Sequence, residues 1–482
     1  MSRESSILMR IKMEPGPSRR SLLRVLESYG GRYQVLHDPA IKRQEGGKGA
    51  SSSEWISYGS QNAFFAPRMT KWAINKHANY FQGKSVESWQ SRLRACGLRA
   101  ELPGKLPSQA GRYLRRFVVR VFHLHAVQIL PIGKMEVLPS VSREEHSDRQ
   151  SLLDKRLEAT AVRALYALEL EMGEVVISAG EEGRFTVEGV TSTPDLRGTE
   201  AAHLFARAIN ETLDRLCHHL DKEELLIGMD PEFILYDKES SRVVPASRYL
   251  DRRGEAGCDS LRIQGRLLFP LVELRPAPGH EPREVMSHLL RAFRSAMVSI
   301  SDKRLLWQAG GMPQQGFPLG GHLHFSGVPL SAELLRSLDN YLALPVSVLE
   351  DSRSFRRRPR YGFLGDFRIQ PYGGFEYRTL PSFLISPLVT KGVVALSRLI
   401  AENVEALTAR PLQDEQIYSA FYEGRQEVIR DILPPLIDQI TALQAYPRYA
   451  SYIAPFFEAV LSGRTWDEST DIRRHWKIQN PS

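Results

Sequence analysis

Four short β-prone runs between Leu225 and Leu384 share one pattern: two polar or ionisable residues at i and i+2, with apolar residues on the alternate positions. The pairs are Asp230 and Glu232, Glu273 and Arg275, His322 and His324, and Glu376 and Arg378. In a strand, residues i and i+2 project from the same face. Each pair therefore points together, while Phe233 and Leu235, Val272 and Leu274, or Leu323 and Phe325 point into a core. If the four strands share a sheet, its polar face carries four carboxylates, two imidazoles and two guanidiniums.

Crowded carboxylates repel one another, and desolvating each costs several kcal/mol unless it is paired or ligated. Divalent cations resolve this, because Mg²⁺ and Mn²⁺ take carboxylate oxygens and Mn²⁺ also accepts imidazole. The two arginines suit phosphate oxygens, which planar guanidinium forks match. Carboxylates for metal beside arginines for phosphate are the components of phosphoryl transfer from a nucleotide. Taken singly, Asp-Pro-Glu also suits a solvated strand end, and Glu-x-Arg a surface ion pair. The recurrence of four pairs between positions 230 and 378 is what favours a site.

The 482 residues suggest about three domains or two larger ones. Ordinary proportions, 42% hydrophobic and 25% charged, argue against wholesale disorder and against a polytopic membrane protein. Cys96, Cys217 and Cys258 are too few and too irregularly spaced for a disulfide framework or a CxxC zinc site. With no apolar leader and no long apolar span, the expectation is a soluble cytoplasmic protein without a membrane partner. The net charge of +8 is uneven. Residues 1–150 hold 25 Lys and Arg against 12 Asp and Glu, whereas residues 201–482 hold 34 of each.

Residues 21–36 read as a helix followed by a strand, and residues 42–54 as a polar loop. Trp72–Cys96 reads as mostly helical. FVVRVFHLHAVQIL and KMEVL read as β-rich runs within 115–138, and residues 157–169 as an amphipathic helix leading into EVVIS and FTVEGV. A helix is expected over 199–221, with a domain boundary near Gly198. Further helices are expected at 282–301 and 331–349, and nearly throughout after Pro387. Strands and helices without strict alternation predict an α+β fold. The division expected is an N-terminal basic α+β domain (1–200), a catalytic domain (201–400) and a helical extension of it (401–482).

GMDPEFILYD resembles the E-P-E-F strand of glutamine synthetase-like enzymes, and VELRPAP, GGHLHFSG and FEYRTLPSFLISP follow in the same order. The set resembles more closely the phage-type carboxylate–amine ligases, type 2, over residues 224–400. The resemblance implies a glutamine synthetase-like antiparallel sheet with a polar catalytic face. It also implies ATP-dependent amide formation, in which a carboxylate is activated as an acyl phosphate and attacked by an amine. Substrates would be amino-acid, peptide or protein carboxylates and amines. Carried over by position, Asp230, Glu232, Glu273 and Glu376 would be metal ligands. His322 or His324 would complete a metal site or touch the nucleotide phosphates. Arg378 would stabilise the transferring phosphoryl group and Arg275 would orient a carboxylate. In SRSFRRRPRYGFLGDFR, Arg360 and Arg368 are the candidates for phosphate contact, whereas Arg356 to Arg358 each read better as a solvated basic turn.

Several departures stand out. Asp230 replaces the glutamate of glutamine synthetases, shortening the reach by one methylene. Gly257–Asp259 matches a G-x-D segment, but the following SLRIQGRLLFPL is long and apolar, which weakens Asp259 as a candidate. Cys258 reads as a buried thiol rather than a nucleophile. The order of NKHANYFQGKS, YLRRFVVRVFHLHAVQIL and FTVEGVTSTPDL resembles the closing elements of an ATP-grasp domain. Its E-x-N metal motif reads Glu188-Gly189-Val190 here, so the asparagine is absent and the resemblance implies a degenerate domain. The alternatives are nucleic-acid binding through the basic N-terminal third, motivated by its charge and the Arg112–Arg120 cluster although Tyr113 and Phe117 beside it fit core strand positions at least as well, a metal-dependent hydrolase, and a non-catalytic scaffold.

Overall fold

A computed structural model describes residues 7–29, 31–37, 54–59, 70–102, 115–132, 151–180, 183–222, 224–263 and 265–478. The loop expected at 42–54 lies outside these residues except for Glu54, which belongs to a strand, and the KMEVL run, Arg112 and Tyr113 lie outside them too. The chain divides into two compact units, Met1–Lys222 and Glu223–Ser482. No helix among the described residues is long and apolar enough to cross a membrane.

The first unit runs β1 (Ile7–Met13), α1 (Pro17–Ser28), β2 (Arg32–His37), β3 (Glu54–Gly59), β4 (Thr70–Ile74), α2 (Ala78–Gln82), α3 (Val86–Ala95), β5 (Arg99–Ala100), β6 (Arg115–Phe122), β7 (His125–Ile132), α4 (Leu152–Ala167), β8 (Met172–Ala179), β9 (Phe185–Thr191) and α5 (Thr199–Lys222). Its sheets are ordered β2-β3-β1-β4 and β5-β9-β8-β6-β7. Helices α1 and α5 bury Leu22, Leu26, Phe205 and Ile209 in one core with Met9, Ile11 and Ile56 of the first sheet. That packing places α5 in the first unit, so the compact boundary falls after Lys222 and not near Gly198. Trp72 belongs to strand β4, which pairs in parallel with β1, so the helical reading holds only for the residues after it. Arg120 of the basic cluster lies 2.9 Å from Glu174, and Arg116 lies 2.6 Å from the buried Glu188. These guanidiniums are neutralised within the sheet.

The second unit runs β10 (Leu226–Asp237), β11 (Arg242–Val244), β12 (Ala256–Ile263), β13 (Arg266–Leu274), α6 (Pro282–Ser299), β14 (Leu306–Gln308), β15 (Gly321–Ser326), α7 (Ala332–Leu338), α8 (Leu344–Ser347), β16 (Phe367–Ile369), β17 (Phe375–Tyr377), α9 (Pro387–Glu402), α10 (Glu415–Glu423), α11 (Gln426–Asp431), α12 (Pro434–Thr441), α13 (Tyr446–Leu461) and α14 (Ile472–Trp476). The fold class is α+β. Its antiparallel sheet is ordered β12-β13-β10-β15-β17-β16, with β11 and β14 also on β10. Pro270 has no N–H to give a ladder. It lies beyond the three residues of β13 that pair with β10, where the β12 register shifts between Asp259 and Leu261.

Behind the sheet the alternate residues Phe233, Val272, Leu323, Phe325, Phe375 and Tyr377 are buried. Phe325 stacks on Phe375 with ring centroids 5.2 Å apart, and Phe233 on Trp307 at 4.7 Å. The Tyr377 hydroxyl donates to Asp339 at 2.7 Å, which satisfies its polar tip on this apolar side.

The C-terminal segment contributes a buried carboxylate. Glu468 is 0% exposed and accepts from the backbone N–H groups of Gly311 and Met312, the Ser354 hydroxyl and the Trp466 indole. It thereby pins the start of the chain segment that leads into β15. Glu468→Ala would strand those donors in the interior. An unfolding free energy lower by about 3 kcal/mol or more is expected, read as a shifted urea midpoint.

Candidate active site

The strand register assembles the polar face. Asp230 of β10 lies opposite His322 of β15, and Glu232 opposite Glu273 of β13. Glu376 of β17 stands between His324 and Arg368. All four sequence pairs thus meet on one side of the sheet. His322 Nδ1 is 3.0 Å from Asp230 Oδ1 and 3.2 Å from Glu376 Oε1. His324 Nε2 is 3.0 Å from Asp230 Oδ2. Arg275 is ion-paired with Glu273, and Arg378 Nε lies 2.9 Å from Glu376 Oε1. Glu232 accepts the Gly320 N–H at 2.6 Å.

Charge crowding shows in the proton affinities. Burial pushes the Glu232 carboxyl up to about 7, with Asp259 and Asp230 adding to it against the opposing His322 charge and the Gly320 N–H. Burial, Asp230 and Glu232 likewise raise Glu273, despite Arg275. Burial alone would lower His322, but Asp230 outweighs it and brings the imidazole up to about 9. Burial would raise Asp230, yet the two histidines outweigh it and hold it well below the usual carboxylate range. Without a cation, this face holds its charge by sharing protons.

The same atoms suit a divalent cation. Asp230 Oδ1, His324 Nε2 and Glu376 Oε1 are buried within about 3 Å of opposite charge, yet none makes an aligned hydrogen bond. Among the described residues, Asp230 with Glu273 and His322, Asp230 with His324 and Glu376, and Glu232 with Asp259 and Glu273 each gather three ligand atoms within 4.8 Å of one another. An oxygen-rich set with one imidazole fits Mg²⁺ or Mn²⁺. Asp259, weak on sequence, is thus brought beside Glu232 and Glu273. Cys258 on the opposite face is buried, and burial raises its thiol.

A cleft of about 100 Å³ opens beside this face, smaller than the ~300–1,000 Å³ usual for small-molecule sites. Asp259, His322, Arg357, Asp366 and Arg378 line its polar side, and Leu261, Leu271 and Leu319 its apolar side. The solvated reading of the arginine run holds for Arg356 alone. Arg357 and Arg358 are buried, because Arg357 donates to the Thr379 and Leu380 carbonyls at 2.9 and 3.1 Å and Arg358 pairs with buried Glu350. Arg360 differs from its two neighbours. It is exposed, with its guanidinium over the Tyr361 ring, and Arg357 lies in the cleft wall. Arg368 reaches Glu376 Oε2 at 3.3 Å.

Sequence reasoning missed Arg357, Asp366, Gln370 and Tyr372. The hairpin they announce is legible: the Pro-Tyr-Gly-Gly turn at 371–374 sets Arg368 opposite Glu376, and Gln370 two residues on shares that face. Gln370 donates to Glu376 Oε2 at 2.8 Å, and the Tyr372 hydroxyl lies 3.1 Å from His324 Nδ1.

The glycines before the histidine pair have a steric reason. A methyl at Gly320 would overlap the His322 imidazole. Gly320→Ala should therefore keep the fold, seen as an unchanged circular dichroism spectrum, while lowering Mn²⁺ affinity by about 10-fold in a calorimetric titration.

Residues 227–478 match a family model described as Phage phiEco32-like COOH.NH2 ligase-type 2. No curated protein matches the chain. Among solved structures, a bifunctional glutathione synthetase from Pasteurella multocida is 12% identical with a TM-score of 0.32, covering 55% of this chain and 49% of its own. The chain thus spans about half the length of that enzyme. A Plasmodium falciparum glutamine synthetase is 10% identical with a TM-score of 0.26, covering 61% of this chain and 73% of its own. The family match carries the identification, not these distant likenesses.

Proposed function

The chain belongs to the phage phiEco32-like COOH.NH2 ligase type 2 family, whose match spans just over half of it, and from that premise we propose that it joins a carboxylate to an amine at the expense of ATP. The observation that carries this reading is the single polar face on which carboxylates, imidazoles and arginines from four strands converge. In the proposed reaction a substrate carboxylate oxygen attacks the γ-phosphorus of ATP and ADP leaves, giving an acyl phosphate. The amine then attacks the acyl carbon, phosphate leaves, and the nitrogen loses a proton.

Asp230, Glu232, Glu273, His322 and Glu376 would hold Mg²⁺ or Mn²⁺, with His324 shared between metal and nucleotide phosphates. Bound there, the cation supplies charge neutralisation on the nucleotide and polarisation of the transferring group. Arg378, held beside Glu376 at the cleft wall, presents its guanidinium where negative charge develops on the phosphoryl oxygens. Arg275, tied to Glu273, is placed to orient the substrate carboxylate, and Arg368 contacts phosphate from the hairpin. Arg357 adds positive charge to the cleft wall. The apolar wall formed by Leu261, Leu271 and Leu319 keeps water from the reactive anhydride.

A hydrolase using the same carboxylates leaves Arg275 and Arg378 without a task. The test that separates the two follows oxygen. With an ¹⁸O-labelled carboxylate, ATP, Mg²⁺ and an amine panel, one ¹⁸O should appear in the released phosphate and ADP should match amide formed. Phosphate released without label from the carboxylate would sink the acyl-phosphate route.

A further inference from the structure

The candidate ligands His324 and Glu376 receive their outer contacts from one short segment, the turn that joins β16 to β17. The turn closes through Gln370 N–H to Gly374 O at 2.9 Å and Gly373 N–H to Gln370 O at 3.1 Å. Gly373 takes a φ of 89°, open to glycine at no steric cost. A side chain at Gly374 would collide with the Tyr372 ring, so the paired glycines let that ring fold back toward the sheet. From this turn Gln370 and Arg368 occupy Glu376 Oε2, at 2.8 and 3.3 Å, and the Tyr372 hydroxyl occupies His324 Nδ1 at 3.1 Å. The atoms left without an aligned partner are the inner ones, Glu376 Oε1 and His324 Nε2. His324 Nε2 lies 3.0 Å from Asp230 Oδ2, and Asp230, His324 and Glu376 form one of the groups able to hold a cation.

We propose that the 368–372 segment is a clamp that preorganises this cation position, with Tyr372 as the positioning residue that fixes the His324 imidazole. With Nδ1–H donated to the Tyr372 oxygen, Nε2 keeps its lone pair for the cation; the partner on one ring nitrogen decides what the other can do. Gln370 and Arg368 act on Glu376 in the same sense, holding one carboxylate oxygen so that the other points inward. Tyr372 suits this task and no core role, because it is 60% exposed. Tyr372 was not among the residues that the sequence motifs single out. The proposal rests on reading Asp230, His324 and Glu376 as a cation site.

The test is a Mn²⁺ titration of the full chain, followed by the electron paramagnetic resonance signal of the free ion. Tyr372→Phe removes one oxygen from an exposed side chain, so its thermal midpoint in EDTA should equal that of the wild type. Its Mn²⁺ affinity should fall about 10- to 100-fold at one position, the range seen when an outer partner of a ligand is lost. Glu376→Gln run alongside should weaken Mn²⁺ binding at least as much. If Glu376→Gln weakens binding and Tyr372→Phe does not, the clamp is wrong and the cation reading stands. If the wild type takes up no Mn²⁺, or Glu376→Gln binds it unchanged, the cation reading fails and the clamp with it. A fall in the EDTA midpoint of Tyr372→Phe matching its loss of affinity would make Tyr372 structural and also overturn the proposal.

Discussion

Glu376→Gln should lower ATP turnover by on the order of 10³-fold, the largest single-residue effect expected in this protein. The reason is where the carboxylate stands. It is 1% exposed and reaches both halves of the proposed chemistry. Oε1 lies 3.2 Å from His322 Nδ1 and 2.9 Å from Arg378 Nε, while Oε2 is held by Gln370 and Arg368. Glutamine keeps the volume and one acceptor. It also replaces an anionic oxygen by an N–H₂ group, which must face either His322 and Arg378 or Gln370 and Arg368. Donor then opposes donor on one side or the other, and the cation position and Arg378 both lose the anionic charge they face. Single-turnover ADP release at saturating Mg²⁺ reads the chemical step directly, and the circular dichroism spectrum checks that the fold survives. Turnover within about threefold of wild type would remove Glu376 from the site and with it the role given to Arg378.

What the sequence disclosed here, and what it did not, divides along physical lines. The i, i+2 pairs were legible because strand pleating alone decides that both members share a face. It needs no knowledge of the partner strand. Their assembly was legible only through the order of the motifs, since register depends on contacts far apart in the chain. Arg357 and Arg358 were misread for that reason. Three consecutive arginines carry a local signature of solvation, and what buries them comes from elsewhere: the Thr379 and Leu380 carbonyls, and the Glu350 carboxylate. Glu468 is the extreme case, more than 150 residues in sequence from the Gly311 and Met312 N–H groups it satisfies. The 331–349 helix was legible in extent. Its middle, Asp339–Ala343, is a π turn that carries the Asp339 carboxylate accepting from Tyr377, and no periodicity announces it. Tyr372 and Gln370 sit between these cases, since the turn chemistry was readable but the side-chain targets were not.

In EDTA, the second unit should become less stable as pH rises from about 5 to 9, and Mn²⁺ should reduce or reverse that slope. The sign follows from which state holds more protons. Burial, aided by Asp259 and Asp230, raises the folded Glu232 carboxyl from 4.5 to about 7, so between those values the native state binds protons that the unfolded chain has released. Burial works against the proton on His322, but Asp230 prevails and raises it from 6.5 to about 9, which continues the same trend at higher pH. Glu273, raised by burial and by Asp230 and Glu232, adds in the same direction. Each contribution is complete below the unfolded value and is lost as pH passes the folded one. Asp230 is shifted the other way, and its contribution falls away only below the ordinary carboxylate range. The His123 imidazole of the first unit has the opposite slope, because burial and Arg215 hold it down to about 4. It lies outside the cation cluster, so the difference between melts with and without Mn²⁺ cancels it. Mn²⁺ competes with protons for the carboxylates and imidazoles of the face, and its affinity grows as they are released. At a free concentration of 100 times its dissociation constant it would stabilise the protein by about 2.7 kcal/mol, and at a fixed free concentration the stabilisation rises with pH as the dissociation constant falls. Thermal midpoints between pH 5 and 9 should therefore diverge, the Mn²⁺ curve lying progressively above the EDTA curve. Parallel curves would mean that the protons and the cation occupy different sites, and the polar face would then hold no metal.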